Sequence, residues 1–521
     1  MPGNKIPSWY VEPSRARPAG YAFLIKAFGL QVGPRVRISF IGAHGTRLDR
    51  EGEGRRTVVY PPSYDPGPEL GDHLEFALKH EGVDLEVLSG AFDPRPGTAA
   101  AEAIERWVLG SPTSGYARRA WFLYEFLTGR RLELPDAAQG NYVPALDPER
   151  YFTAVPVRSR RHRVLDNLLG PREFCPAVRR TEALASYAAQ GLDREAARLI
   201  GSYDEDVIRR AISYLYTKET RSSFAIEGEV PNPTRTERFV ATVRSVEGRE
   251  SLELEDLVRL QNAIVEPRAA EQAFRTGQNY VGEQLALTRQ RIHYIPPRPE
   301  DVPALVRGWL GCVRRMAESE IDPVVQAAVA AFGFVFIHPF LDGNGRLHRV
   351  LIHHVLSRLR FTPPGTLFPV SAVILQRRGE YDAALESISR PMMQLIDHEE
   401  TADGSVTVKG ETIRLYQYLD YTRLAEALWS WIEQTVRSEL KEELEFVRKY
   451  RTARAELAEL IDLPDSRMNL LVRIVVNGRG RISKAKRASQ FADLDDATIA
   501  RLEGAIRDAF ELEAESAGTA P

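Results

Sequence analysis

The chain has 521 residues, 43% hydrophobic and 27% charged, with a formal net charge of −3, an ordinary globular composition at a length that calls for more than one core. The balanced charge gives no global reason to expect nucleic acid or an anionic membrane as partner. Two distant cysteines, Cys175 and Cys312, argue against a disulfide framework, and with no signal-like start and no long apolar run a cytoplasmic protein is expected, with no membrane partner.

Residues 1–195 read as a mixed α/β region of unassigned role. Val36–Phe40 and Thr57–Tyr60 have strand composition. Ala99–Leu109 and Tyr116–Leu127 have helical spacing, and the aromatic residues of the second (Trp121, Phe122, Tyr124, Phe126) read as core. The basic cluster Arg158, Arg160, Arg161, His162 and Arg163 reads as a solvated linker. From Arg179 the texture becomes helical. A helix is expected from about Glu205 to Ile226, ending at Gly228 before Pro231 and Pro233. Ser223 and Glu227 lie four apart and so share one face of it. Leu252–Val265 predicts another helix. Residues 278–295 predict a hairpin of two short strands with a polar loop of about eight residues, closed by Pro296-Pro297.

Asp322-Pro323 predicts a helix start, and the following run to Ile337 is apolar nearly all round, as a buried central helix would be. Next comes His338-Pro339-Phe340-Leu341-Asp342-Gly343-Asn344-Gly345-Arg346-Leu347-His348-Arg349, then a helix to about Leu359 and another over Arg378–Ser389 that contains Tyr381. The tail, 396–521, predicts helices at Tyr421–Leu440, Leu444–Leu460, Arg467–Val476 and Asp496–Phe510. Its basic turn at Arg479–Arg487 suggests a winged-helix-like arrangement. The expected fold is mainly α.

The stretch from His338 to Arg349 carries chemistry. Gly343, Asn344 and Gly345 can turn successive backbone N–H groups toward one point. The helix that follows adds its free N-terminal N–H groups, so the site suits a phosphate. Arg346 and Arg349 are three apart on one face and can grip further phosphate oxygens. Asp342 is a hard oxygen ligand suited to Mg²⁺. His338 can take a proton as general base. His348, His353 and His354 lack a third-ligand pattern and read as helix-surface or packing residues.

At every fixed position this stretch matches the signature HPFxxGNGRxxR, and the chain resembles the Fic family over about residues 196–395. The resemblance implies a helical Fic core with a β-hairpin flap. It also implies protein AMPylation: transfer of AMP from ATP to a Ser, Thr or Tyr hydroxyl of a target protein, with release of pyrophosphate. It would make His338 the base, Asp342 the holder of Mg²⁺, and Gly343, Asn344, Gly345, Arg346 and Arg349 the binders of the nucleotide. Tyr381 lies where a base-stacking residue could come from. The flap would hold the target protein by strand addition at Val281, Gly282 and Tyr294; its loop is longer than is usual in the family. Ser223-x-x-x-Glu227-Gly228 matches the family's inhibitory motif, in which the glutamate pairs with the second arginine, here Arg349. Auto-modification and self-association are further expectations.

Other functions stay open at this point. The same site could remove AMP or transfer another nucleotide monophosphate. Doc-type relatives phosphorylate instead, but they replace the second motif glycine with lysine and alter the last arginine, and this chain keeps Gly345 and Arg349. From another class, the C-terminal region could serve a nucleic-acid-binding regulator.

Overall fold

The computed structural model describes residues 6–43, 47–52, 55–93, 99–286, 289–401 and 404–512. Contacts divide the chain into two units: residues 1–190, 226–361 and 377–430 in the first, and 191–225, 362–376 and 431–521 in the second. Both units are discontinuous, so they cut across the three consecutive regions expected from the sequence.

The N-terminal part of the first unit contains a four-stranded sheet with Arg37–Gly42 and Arg55–Tyr60 as its inner, parallel pair. Helix Gly115–Thr128 is capped by Ser114, whose side chain accepts from Ala117 N–H. It buries Trp121, Leu123 and Tyr124 in a core shared with Phe40, Leu24 and Leu88. The basic cluster is not a linker. Strands Val157–Ser159 and Val164–Asp166 pair across it, and the turn carries Arg161 over the Trp121 ring and into an ion pair with Glu125 at 2.8 Å. His162 bonds the same carboxylate at 3.0 Å. The packed indole and a partly buried acid draw these two residues inward.

Helix Pro323–Ile337 forms the centre of the same unit. The Asp322 carboxylate caps it by accepting from Val324 and Val325 N–H. Trp309 of helix Val302–Ala317 donates to the Ala330 carbonyl at 2.9 Å. Gly333 permits that approach, since a Cβ there would lie 2.8 Å from Phe174 and 2.9 Å from Trp309. The motif helix Asn344–Arg358 packs along the central helix. A helix absent from the sequence reading, Pro233–Val246, packs on the motif helix. Asn232 caps it and Pro233 opens it, so a proline that reads as a stop is here a helix start.

The second unit is helical. Its core gathers Leu457, Leu471, Val475, Phe491, Leu502 and Ile506. No strand forms among its described residues, so the winged arrangement expected near Arg479 is absent. Gly480, at φ +90°, lets the chain turn back, and its N–H donates to Val475. Helix Lys484–Gln490 follows directly, capped by Ser483. No helix among the described residues is long and apolar enough to cross a membrane.

Candidate active site

The loop leaving the central helix is shaped by backbone geometry first. His338 is its C-cap, with φ 51° and ψ 58°, a left-handed conformation costly for a residue with a side chain. The imidazole Nδ1 lies 3.1 Å from the Val335 carbonyl. A carbonyl can only accept, so Nδ1 carries the hydrogen and Nε2 the lone pair. Burial lowers the His338 pKa to about 4, with Arg275 adding to the effect against Glu227 and Asp342. His338 is therefore neutral near pH 7, as a base must be.

The loop closes on itself through Asn344. Its Oδ1 accepts from Phe340 N–H at 3.1 Å and its Nδ2 donates to the Phe340 carbonyl at 2.7 Å. Both ends of this amide are thus used to hold the loop, which differs from the phosphate-facing role expected for it. Gly343 sits at φ +89°, and a Cβ there would meet Val265 at 2.8 Å. Asp342 keeps half of its side chain exposed; its Oδ1 accepts from Gly343 N–H at 2.6 Å and Arg346 Nη2 at 2.7 Å.

Arg346 and Arg349 are 2% and 1% exposed, and each meets a carboxylate from the segment after helix Glu205–Ile226. Glu227 Oε1 lies 2.7 Å from Arg349 Nη2; Glu229 Oε1 lies 3.4 Å from Arg346 Nη1. The same Glu227 oxygen sits 2.3 Å from where a Cβ at Gly345 would be. Its carboxylate therefore lies against the first turn of the motif helix, where an anion is favoured. Burial pushes the Glu227 pKa up, but Arg349, then Arg346 and Arg378, outweigh it and hold the group below the ordinary carboxylate value. Arg378 also donates to the Ile226 carbonyl, fixing the chain just before Glu227.

The remaining expected residues are placed less as expected. Ser223 is fully buried on helix Glu205–Ile226. Tyr381 is buried with its ring centroid 6.3 Å from that of His348 and feels the charges of Arg349 and Glu227. It packs inside and offers no open face for a base. Strands Val281–Ala286 and Arg289–Tyr294 form the hairpin within the expected span, with longer strands and a shorter connection than the expected loop of about eight residues, and with Glu283 opposite Arg291 as a favourable cross-strand pair. Residues 287–288 lie outside the described set. Val281 is 41% exposed. Gly282 serves close approach: a Cβ would lie 2.5 Å from the Arg291 carbonyl. Tyr294 is buried and donates its hydroxyl to the Phe336 carbonyl, leaving only its backbone for strand addition.

Four residues of this site escaped the sequence reading: Glu229, Gln261, Glu271 and Arg275. Gln261 Nε2 donates to the Asp342 carbonyl at 3.2 Å, and Glu271 accepts from Leu341 N–H at 2.8 Å. Arg275 Nε donates to the His338 carbonyl at 2.8 Å. For Glu229 a signal existed in the Glu-x-Glu alternation, which can set two carboxylates against two arginines. A cavity of about 500 Å³ lies elsewhere, lined by Trp309, Leu310, Leu351, Val355 and Arg358 toward the other end of the motif helix. It contains none of the loop residues.

A family model described as Fic/DOC family matches residues 251–356. The chain is 26% identical over 174 residues to the protein adenylyltransferase Fic of Nematostella vectensis, covering 30% of this chain and 41% of that protein. It is 25% identical over 247 residues to that of Drosophila willistoni, covering 42% and 46%. The chain thus spans less than half the length of these curated relatives. A solved Fic family protein from Desulfovibrio desulfuricans G20 aligns over 64% of this chain and 86% of its own, with 19% identity and a TM-score of 0.36, a likeness too loose to carry an argument.

Proposed function

Residues 251–356 form a Fic/DOC-family domain, and from that premise we propose that the chain transfers AMP from ATP to a Ser, Thr or Tyr hydroxyl of a protein. The observation that carries the reading is the pairing of a neutral His338, its Nε2 free of the proton, with a glycine loop and two buried arginines. The target hydroxyl loses its proton to His338 Nε2 as its oxygen attacks the α-phosphorus. The bond from that phosphorus to the bridging oxygen breaks, and pyrophosphate leaves. Arg346 and Arg349 hold the β- and γ-phosphates, and the loop backbone and motif-helix N-terminus stabilise charge on the transferring group.

The donor set suits Mg²⁺, which takes one or two carboxylates and completes its shell with water and phosphate. Asp342, half exposed, would hold it, and the ion would neutralise charge on the phosphates. The target, which includes the chain itself, lies along the exposed edge of the hairpin. Glu227 restrains the reaction: a third anion at Arg349 must displace it.

Glu227→Gly protein incubated with α-labelled ATP should label itself strongly, and adding His338→Ala should abolish the label. Equal labelling in the two proteins would contradict the assignment of His338 as base.

A further inference from the structure

The end of the central helix and the loop that leaves it present carbonyls that no later turn of that helix can satisfy. Between Phe336 and Phe340, donors from residues 275–294 reach four of them. Tyr294 hydroxyl donates to Phe336, Arg275 Nε to His338 at 2.8 Å, Arg275 N–H to Pro339 at 2.9 Å, and Asn279 Nδ2 to Phe340 at 3.2 Å. The same guanidinium also donates to Gly277 at 3.1 Å and to Pro297. These two carbonyls lie just before and just after the hairpin. Arg275 is 3% exposed, and its guanidinium is spent on carbonyls rather than on a carboxylate. A buried cation is costly unless its donors are used, so the arrangement is a committed one.

We propose that Arg275 is a positioning residue that joins the root of the hairpin to His338, so that the strand holding the target and the base that deprotonates it move as one body. The inference rests on the reading of His338 as general base. Arg275 donates to the carbonyl of the one loop residue whose side-chain-bearing backbone is left-handed, and to the carbonyl next to it. It thereby stabilises a conformation that the His338 backbone would otherwise leave. The charges facing the imidazole are Arg275, Glu227 and Asp342, and of these only Arg275 opposes protonation. Removing it disorders the base and also lets the base take a proton more readily. The grip on nucleotide phosphate stays intact, because Arg346 and Arg349 are anchored elsewhere.

The test compares full-length Glu227→Gly protein with the same protein carrying Arg275→Met or Asn279→Ala. Transfer from α-labelled ATP is measured together with NMR titration of the His338 imidazole, which His338→Gln identifies. Arg275→Met should lower kcat by about 10²-fold, the cost of a misplaced reacting group, and leave the KM for ATP unchanged. The His338 titration should move above that of the parent. Asn279→Ala, which removes one bond and no charge, should lower kcat by a smaller factor without moving the titration, and it decides the matter if Arg275→Met does not fold. Unchanged kcat in both variants, or a loss expressed in KM, would overturn the inference. If the parent transfers no AMP, the AMPylation reading fails, and the titration still decides here: a shift in Arg275→Met supports the link, and none overturns it.

Discussion

The two flanks of the loop from His338 to Arg349 are held by different kinds of interaction. On the histidine side, the contacts are hydrogen bonds to backbone carbonyls: His338 Nδ1 to Val335, and Arg275, Asn279 and Tyr294 to residues 336–340. No substrate anion competes for such bonds. On the arginine side, the contacts are ion pairs, Glu227 with Arg349 and Glu229 and Asp342 with Arg346. A phosphate would compete for every one of them. On the proposed reading, one flank is fixed and the other guarded. The same division appears in the glycines: Gly343 supplies a backbone angle, whereas Gly345 supplies room that the Glu227 carboxylate now fills.

The largest effect should come from breaking the fixed flank at its centre. His338→Ala, placed in Glu227→Gly protein, should cut transfer by about 10²–10⁴-fold, the usual worth of a general base, with the thermal melting of the fold retained. Next, breaking the guard by Glu227→Gly alone should raise self-labelling by about tenfold or more, since a carboxylate that competes for the buried Arg349 guanidinium is removed; an unchanged rate would remove Glu227 from regulation. Glu229→Gln should give a smaller rise in the same assay, because its contact to Arg346 is longer and Asp342 remains.

Acid should separate the flanks as well. The carboxyl of Glu227 lies below the ordinary carboxylate value, so its stabilising pair is complete above that value and is lost only as the pH falls through the lowered one. Burial instead lowers His338 and His354 to about 4 and His348 to about 3. The unfolded chain takes up these protons near about 6.5 while the fold refuses them. Stability should thus be full above about pH 6.5 and decline steadily toward pH 4. Urea unfolding across that range reads the slope, and a flat profile would count against buried neutral histidines.

Much of the site was legible because its chemistry is local. Twelve consecutive residues from His338 to Arg349 hold the proposed base, the loop and both arginines, and the all-apolar run before them could only be a buried helix. What the sequence concealed depends on distant partners or on burial. Arg275 bonds a residue 63 positions away through a backbone carbonyl, and carbonyls carry no side-chain signature. Tyr294 and Tyr381 looked available because an aromatic residue suits a surface and a core equally well, and packing put both inside. The helix Pro233–Val246 was hidden by prolines that read as a stop, although Asn232-Pro233 is also a start. Near Arg479 the basic turn resembled a wing, but no strand pairs there among the described residues.

The central claim, that the loop moves the α-phosphate and not the γ-phosphate, is tested by one paired measurement. Glu227→Gly protein is incubated with ATP labelled at the α-phosphate and, separately, at the γ-phosphate, and the label retained on protein is counted. Label from the α-position alone is the predicted result. Retention of the γ-label, or of neither, would contradict it.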